Sequence, residues 1–229
     1  AQVTAKVGYA GGTRVGDGGR VCYHNRANAP DYGELGHAEV ASMSVPSGRV
    51  GDLARRYFDS TAKYGDAGRP DPQDQGSEYR SVIGLPGGAQ SPLFEDIKAA
   101  NDARFKLAYG QGDDQDTINT GVVFVYDSDK FPFNQAELYH QFHDDVDTRY
   151  PVSYKALKDA KVASGALRKT RCPGPAAPDP LEDAAFSEQR EDSLTFSAFG
   201  DLLGSVAPKG WSATESALAK QNMQGGLLP

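Results

Sequence analysis

The sequence contains few of the residues that build metal sites or disulfide frameworks. Only two cysteines, Cys22 and Cys172, occur among the 229 residues, and the four histidines follow no metal-ligand spacing. We therefore predict no metal and no cofactor. The two cysteines are able to pair with each other in an oxidising compartment, and the sequence alone leaves this open.

Long apolar runs and clustered positive charge are also lacking. The longest apolar run, Gly121 to Tyr126, has the length of a strand, whereas a bilayer-spanning helix needs roughly 20 apolar residues. The net charge is -7, and the basic patch of Arg168, Lys169 and Arg171 is short. We predict a soluble chain without a transmembrane segment and without a nucleic acid partner.

The first residues, Ala1-Gln2, carry neither a methionine nor an apolar signal segment. Two interpretations fit this start. The chain is either a mature protein, for example an organellar one that has lost its targeting peptide, or a piece of a longer sequence. The sequence does not separate the two, so the compartment stays open.

Periodicity predicts strands and helices that interleave on one small sheet. Apolar residues recur at helical spacing from Val50 to Phe58, and Ile118–Tyr126 is rich in the β-branched and aromatic residues that favour strands. Asn134 stands three residues before Glu137, a pattern typical of a capping box at a helix start. The predicted strands are Val3–Tyr9, Ala38–Val45, Arg80–Leu85 and Ile118–Tyr126, and the predicted helices are Val50–Phe58, Ser91–Asn101 and Asn134–Val146.

The composition changes after about residue 150, so we predict one domain over residues 1–150 and an extension over residues 151–229. Residues 173–180 are rich in proline, which is typical of a stiff linker. The amphipathic stretch that follows either packs back onto the domain or docks on a partner. Packing back is favoured because an isolated amphipathic helix is only marginally stable. The apolar stripe consists of Leu194, Phe199, Leu202, Leu203, Val206 and Trp211.

Four motifs, in this order along the chain, resemble those of the peptide methionine sulfoxide reductase A family. They are Val-Gly-Tyr-Ala-Gly-Gly at residues 7–12, Gly-His-Ala-Glu-Val at 36–40, Asp-Gln-Gly-Ser-Glu-Tyr-Arg-Ser-Val-Ile at 74–83, and Ala-Glu-Leu-Tyr-His-Gln at 136–141. Thr-Ile-Asn-Thr at 117–120 lies between the last two. The resemblance covers most of the first 145 residues. It implies an α+β, ferredoxin-like fold.

Members of this family reduce the S epimer of methionine sulfoxide with a thiolate, while a carboxylic acid protonates the departing oxygen. The resemblance implies that Glu39 is this acid and that Tyr32 and Tyr79 hold the oxygen. Asp74 matches the second acidic position. A buried, neutral carboxyl suits the acid role, because the sulfoxide oxygen leaves readily only after it gains a proton.

One motif of the family has no counterpart here. Its Gly-Cys-Phe-Trp-Gly segment lies upstream of the strand that ends in residues 7–12, and only six residues precede Val7. We therefore expect a fold that lacks the family's first strand and helix and, with them, the nucleophilic thiolate. The predicted function is a non-catalytic binding or structural subunit of a larger assembly.

An active reductase is the alternative function. It requires a nucleophile from a missing upstream segment or from Cys22, and it implies thioredoxin as the reductant. Cys172 then resembles a resolving cysteine. In the chain as given, the missing strand belongs to the middle of the family's sheet, so we expect the C-terminal tail or a partner protein to cover the gap.

Overall fold

The structure, a computed structural model, describes residues 4–25, 29–63, 69, 71–143 and 152–174. Six strands and three α-helices make up the regular elements of this part. The strands are β1 Lys6–Ala10, β2 Ala38–Ser42, β3 Val82–Leu85, β4 Lys106–Tyr109, β5 Val122–Asp127 and β6 Asn134–Gln135; the helices are α1 Val50–Lys63, α2 Phe94–Asn101 and α3 Val152–Ala163. The prediction of a mixed α+β protein is confirmed. Among the described residues, no helix is both long and apolar enough to cross a bilayer.

The strands form two three-stranded sheets rather than one. Sheet A has the order β2-β1-β6 and is antiparallel, with Tyr9 opposite Glu39 on one side and opposite Asn134 on the other. Sheet B has the order β3-β5-β4 and is parallel. The strand β2 is therefore an outer strand of sheet A, and β3 is an outer strand of sheet B.

Sheet B packs against α1 and α2. The predicted helix over Val50–Phe58 is confirmed, and its apolar stripe faces the sheet as the periodicity required. This core consists of Val50, Ala54, Phe58, Leu85, Ile97, Ala100 and Val123, with Val45, Ile83 and Leu107 packed against it. Phe58 is fully buried and stacks on Phe105.

Sheet A packs against the loop that joins β1 to β2. The sequence predicts a long surface connection here, but part of this loop is core. Tyr9 on β1 shares a hydrophobic cluster with Val21, Tyr32, Leu35 and Ala136. His37 fixes the end of the loop: its Nδ1 accepts the Gly12 N–H at 3.3 Å, and its Nε2 lies 2.7 Å from the Arg14 carbonyl.

Arg80 ties the two sheets together. Its side chain is buried and donates to the carbonyl of Gly36 at 2.9 Å, to the hydroxyl of Tyr126 at 2.9 Å and to the carbonyl of Ser77 at 2.7 Å. Gly36 precedes β2, and Arg80 precedes β3. The guanidinium therefore holds the beginnings of β2 and β3 side by side.

The predicted helix over Asn134–Val146 is wrong for the residues that the structure describes. Asn134 and Gln135 form β6, and residues 138–143 form a kinked 3-10 segment. The helix is prevented by partners far away in the sequence. Gln141 bonds both backbone groups of Val7. Gly8 makes room for β6, because a Cβ there would clash with the carbonyl of Asn134.

Several other predicted boundaries shift by a few residues, and two of these shifts have a visible local cause. The strand predicted over Ile118–Tyr126 begins at Val122, because residues 117–120 form a turn closed by the bond from Thr120 N to Thr117 O. Ser91 does not cap α2, which begins at Phe94 with Leu93 in the cap position. The Ser91 hydroxyl instead accepts the Leu93 N–H at 3.4 Å.

Residues 152–174 pack against earlier parts of the described chain. Tyr154 and Leu167 form a buried cluster with Phe142, and Cys172 is disulfide-bonded to Cys22. The helix α3 was not predicted from the sequence. Most of the predicted linker and the whole amphipathic stretch lie outside the described residues, so the expectation that this tail covers the sheet stays a prediction.

Candidate functional site

Tyr32 and Glu39 form the centre of the candidate site. The Tyr32 hydroxyl donates a hydrogen bond of 2.6 Å to Oε1 of Glu39. Glu39 projects from β2 and is half-buried, whereas Tyr32 lies on the preceding loop and is buried. The Tyr32 ring stacks on the ring of Tyr9 with 4.4 Å between the centroids, which fixes the position of its hydroxyl.

The environment of Glu39 favours its neutral form. Burial raises the pKa of this carboxyl to about 7 from its usual 4.5, and the negative charges of Asp74 and Glu78 act in the same direction. The hydrogen bond from Tyr32 opposes the shift. Burial also raises the pKa of Asp74, to about 6, with Asp71 contributing and Arg69 opposing.

Tyr79 completes the group. A side-chain hydrogen bond joins it to Tyr32, and burial followed by the charge of Glu39 raises the pKa of the Tyr79 phenol. Glu39, Tyr32, Tyr79 and Asp74 therefore come together in the fold. A half-buried carboxyl that is partly protonated near neutral pH, with two phenols beside it, is able to bind a neutral oxygen acceptor and to give it a proton.

A second glutamate was missed at the sequence level. Glu137 is buried, and its carboxylate accepts the Tyr9 hydroxyl at 2.9 Å and the Tyr23 backbone N–H at 2.9 Å. The two stacked tyrosines thus donate to different carboxylates: Tyr9 to Glu137 and Tyr32 to Glu39. Glu137 lies within one of the resembling motifs, but only the fold reveals that Tyr9, which is 128 residues away, is its partner.

The Cys22–Cys172 disulfide lies beside Glu137. A carboxylate oxygen of Glu137 and the two sulfur atoms lie within 4.8 Å of one another. Sulfur atoms joined in a disulfide are not thiolates, so these three residues are not a set of metal ligands in this state. Cys22, the predicted substitute nucleophile, has no free thiol here.

Comparison of the chain with protein-family models, with curated proteins and with solved structures found no match. No relative therefore assigns a reaction to these side chains.

The raised pKa of Glu39 predicts how stability depends on pH. Because the folded-state value lies above the unfolded one, the contribution of this carboxyl is fully present below pH 4.5 and is lost as the pH rises through about 7. The free energy of unfolding should therefore fall over this window, and Glu39→Gln should flatten the fall. Urea unfolding of the wild type and of Glu39→Gln between pH 4.5 and 8 measures how the free energy of unfolding of each changes with pH. Glu34→Gln, at an exposed position on the neighbouring loop, is the control. Parallel curves for the wild type and Glu39→Gln would contradict the prediction.

Proposed function

We propose that this chain is a non-catalytic domain of the methionine sulfoxide reductase A type, which acts as a binding or structural subunit of a larger assembly. The contact between Tyr32 and Glu39 carries the binding part of this proposal. It places a phenol on a carboxyl whose pKa, at about 7, keeps it partly neutral. Such a pair suits the oxygen of a methionine sulfoxide side chain, which accepts hydrogen bonds and carries no net charge.

The state of the cysteines supports the non-catalytic part. Reduction of a sulfoxide by this chemistry needs a thiolate, and Cys22 and Cys172 are the two cysteines of the sequence. Both are held in one disulfide.

The test combines binding and turnover. We expect methionine sulfoxide to shift the NMR signals of residues around Glu39, and methionine, which lacks the oxygen, to shift them far less. Tyr32→Phe should weaken the binding by about 10-fold, since one hydrogen bond of about 1.4 kcal/mol is lost. Tyr109→Phe, at an exposed tyrosine, is the matched control. Equal shifts with both ligands would refute sulfoxide recognition. Formation of methionine with thioredoxin or dithiothreitol would refute the non-catalytic assignment.

An active reductase is the second candidate, and the observation that favours it is that the fold brings the only two cysteines of the sequence within bonding distance, as a nucleophile and a resolving cysteine must be. In such a cycle the Cys22 thiol attacks the sulfoxide sulfur, methionine leaves, and Cys22 becomes a sulfenic acid. The Cys172 thiol then attacks this sulfur, which releases water and forms the Cys22–Cys172 disulfide. A thioredoxin dithiol reduces the disulfide and closes the cycle. Turnover that disappears in Cys22→Ser would establish this candidate, and its loss in Glu39→Gln would assign the acid.

A further inference from the structure

The outer edges of β2 and β3 lie side by side without pairing to each other. Within the described ranges, no strand occupies the outer edge of either one. The beginnings of the two strands are joined through the bond from Arg80 to Gly36 at 2.9 Å. Beyond their ends, Val45 packs in the same core as Leu85. These contacts, one before each strand and one near its end, indicate that β2 and β3 border a shared gap and run along it in the same direction.

The backbone of β2 directs hydrogen-bonding groups into this gap. The Val7 carbonyl accepts the Ala136 N–H at 3.0 Å, so Val7 faces β6 and its neighbour Gly8 faces β2. Gly8 stands opposite Val40, which therefore faces back towards β1. Alternation along the strand then leaves Glu39 and Ala41 with their N–H and C=O groups on the outer edge.

The backbone of β3 also directs N–H and C=O groups into the gap. The Ser81 carbonyl accepts the Phe124 N–H and the Leu85 carbonyl accepts the Ser128 N–H, both at 2.9 Å, so these residues face β5. Val82 and Gly84 therefore face outward. The hydroxyl of Tyr57 accepts the Val82 N–H, which leaves the Val82 carbonyl and both backbone groups of Gly84 for a strand in the gap.

We infer that this gap is the docking site for an extended, basic segment of a partner protein, which inserts as a strand between β2 and β3 and joins the two sheets. Backbone hydrogen bonds on both sides would hold the segment in place, as in other cases of strand addition. Charge complementarity specifies the basic residue: the negative charges of Asp74 and Glu78 act on Glu39 at this place, on a chain whose net charge is -7, and a cation in the gap would relieve their repulsion with the Glu39 carboxyl. The inference names the partner class for the structural role proposed above.

The test adds a synthetic peptide to the full chain. The probe is an acetylated, amidated peptide of about five residues with the sequence Val-Thr-Lys-Thr-Val, the length of β2. Two matched peptides separate the causes of binding. One carries N-methyl groups on both threonines and so cannot donate hydrogen bonds to one of its two neighbouring strands, and the other has glutamate in place of lysine. We expect each to bind at least about 10-fold more weakly than the probe, with slower amide exchange at Ala41 and Gly84 only for the probe.

Variants of the protein provide the second arm. Ala41→Pro removes one outward N–H and should weaken the probe by about 10-fold, whereas Ala41→Gly keeps the N–H and should not. If Ala41→Pro unfolds, Gly84→Pro replaces it.

Equal binding of the probe and its N-methylated form overturns the proposal, because charge alone then explains the affinity. Absence of binding overturns it as well. Amides that are already protected in the free monomer identify a segment of this chain as the occupant, and protection that appears only in a dimer identifies a second copy. Loss of methionine sulfoxide binding with peptide binding intact would refute the ligand of the pocket and leave this site standing.

Discussion

Replacing Cys172 by serine is expected to lower the free energy of unfolding by about 2 to 5 kcal/mol. The Cys22–Cys172 disulfide joins residues 150 positions apart, so it removes a large part of the conformational freedom of the unfolded chain. It also fastens residues 152–174 to the loop between β1 and β2. Denaturant titration of the variant and of the wild type measures the difference.

The controls for this variant use the same bond and a neighbouring surface position. Dithiothreitol should bring the wild type to the level of Cys172→Ser, and Cys22→Ser should have the same effect as Cys172→Ser, because either change removes the same bond. Lys169→Ser, at an exposed position nearby, should change stability by less than about 0.5 kcal/mol. A wild type that is equally stable with and without reductant would contradict the prediction.

Arg80→Met should destabilise the protein by about 3 kcal/mol or more. The methionine fills much of the same volume but leaves the carbonyls of Gly36 and Ser77 without the charged donor that they share. The loss should also loosen the attachment of sheet A to sheet B. Thermal or urea unfolding followed by circular dichroism is the measurement.

Arg49→Met is the matched control for Arg80. Arg49 is exposed and pairs with Asp52 at 3.0 Å in a surface ion pair, which contributes about 0 to 1 kcal/mol. The two variants therefore make the same chemical change in opposite environments. Similar losses in both would show that Arg80 does not hold the sheets together.

Local sequence patterns predicted the elements whose partners lie nearby. The helix over Val50–Phe58 follows from an apolar stripe at helical spacing, and the strand over Ile118–Tyr126 follows from β-branched and aromatic residues. Its beginning was placed four residues too early, because β-branched composition does not reveal the turn at residues 117–120. The short strand β4 was not predicted, since four residues are too few to establish a period.

Elements whose partners are far away in the sequence could not be predicted in this way. Asn134 and Glu137 have the spacing of a helix start, but Asn134 pairs with Tyr9 in the sheet and Glu137 binds the Tyr9 hydroxyl. These contacts, made across more than 120 residues, outweigh the local helix signal. The pairing of Cys22 with Cys172 was left open for the same reason.

The candidate site was predicted through resemblance rather than through spacing. Nothing in the distances along the chain says that Tyr32 donates to Glu39, or that Asp74 and Tyr79 approach from the segment that precedes β3. The resemblance selected these four residues, but the hydrogen bond of 2.6 Å between Tyr32 and Glu39 is visible only in the fold. The catalytic roles of these residues stay a prediction, because a shared arrangement of side chains does not by itself establish a reaction.

The pairing of β1 with β6 has a consequence for the order in which the chain is completed during synthesis. Sheet B and the helices that cover it are built from residues 50–127, a continuous stretch, so this half has all its parts once residue 127 has been made. The strand β1 is synthesised first but obtains its second neighbour only when residues 134–135 follow. Its core partner Ala136 follows them, and Cys172 comes still later. Of the described strands, β1 is made before the others and is the last to obtain both of its neighbours, so one of its edges stays open while residues 11–133 are synthesised.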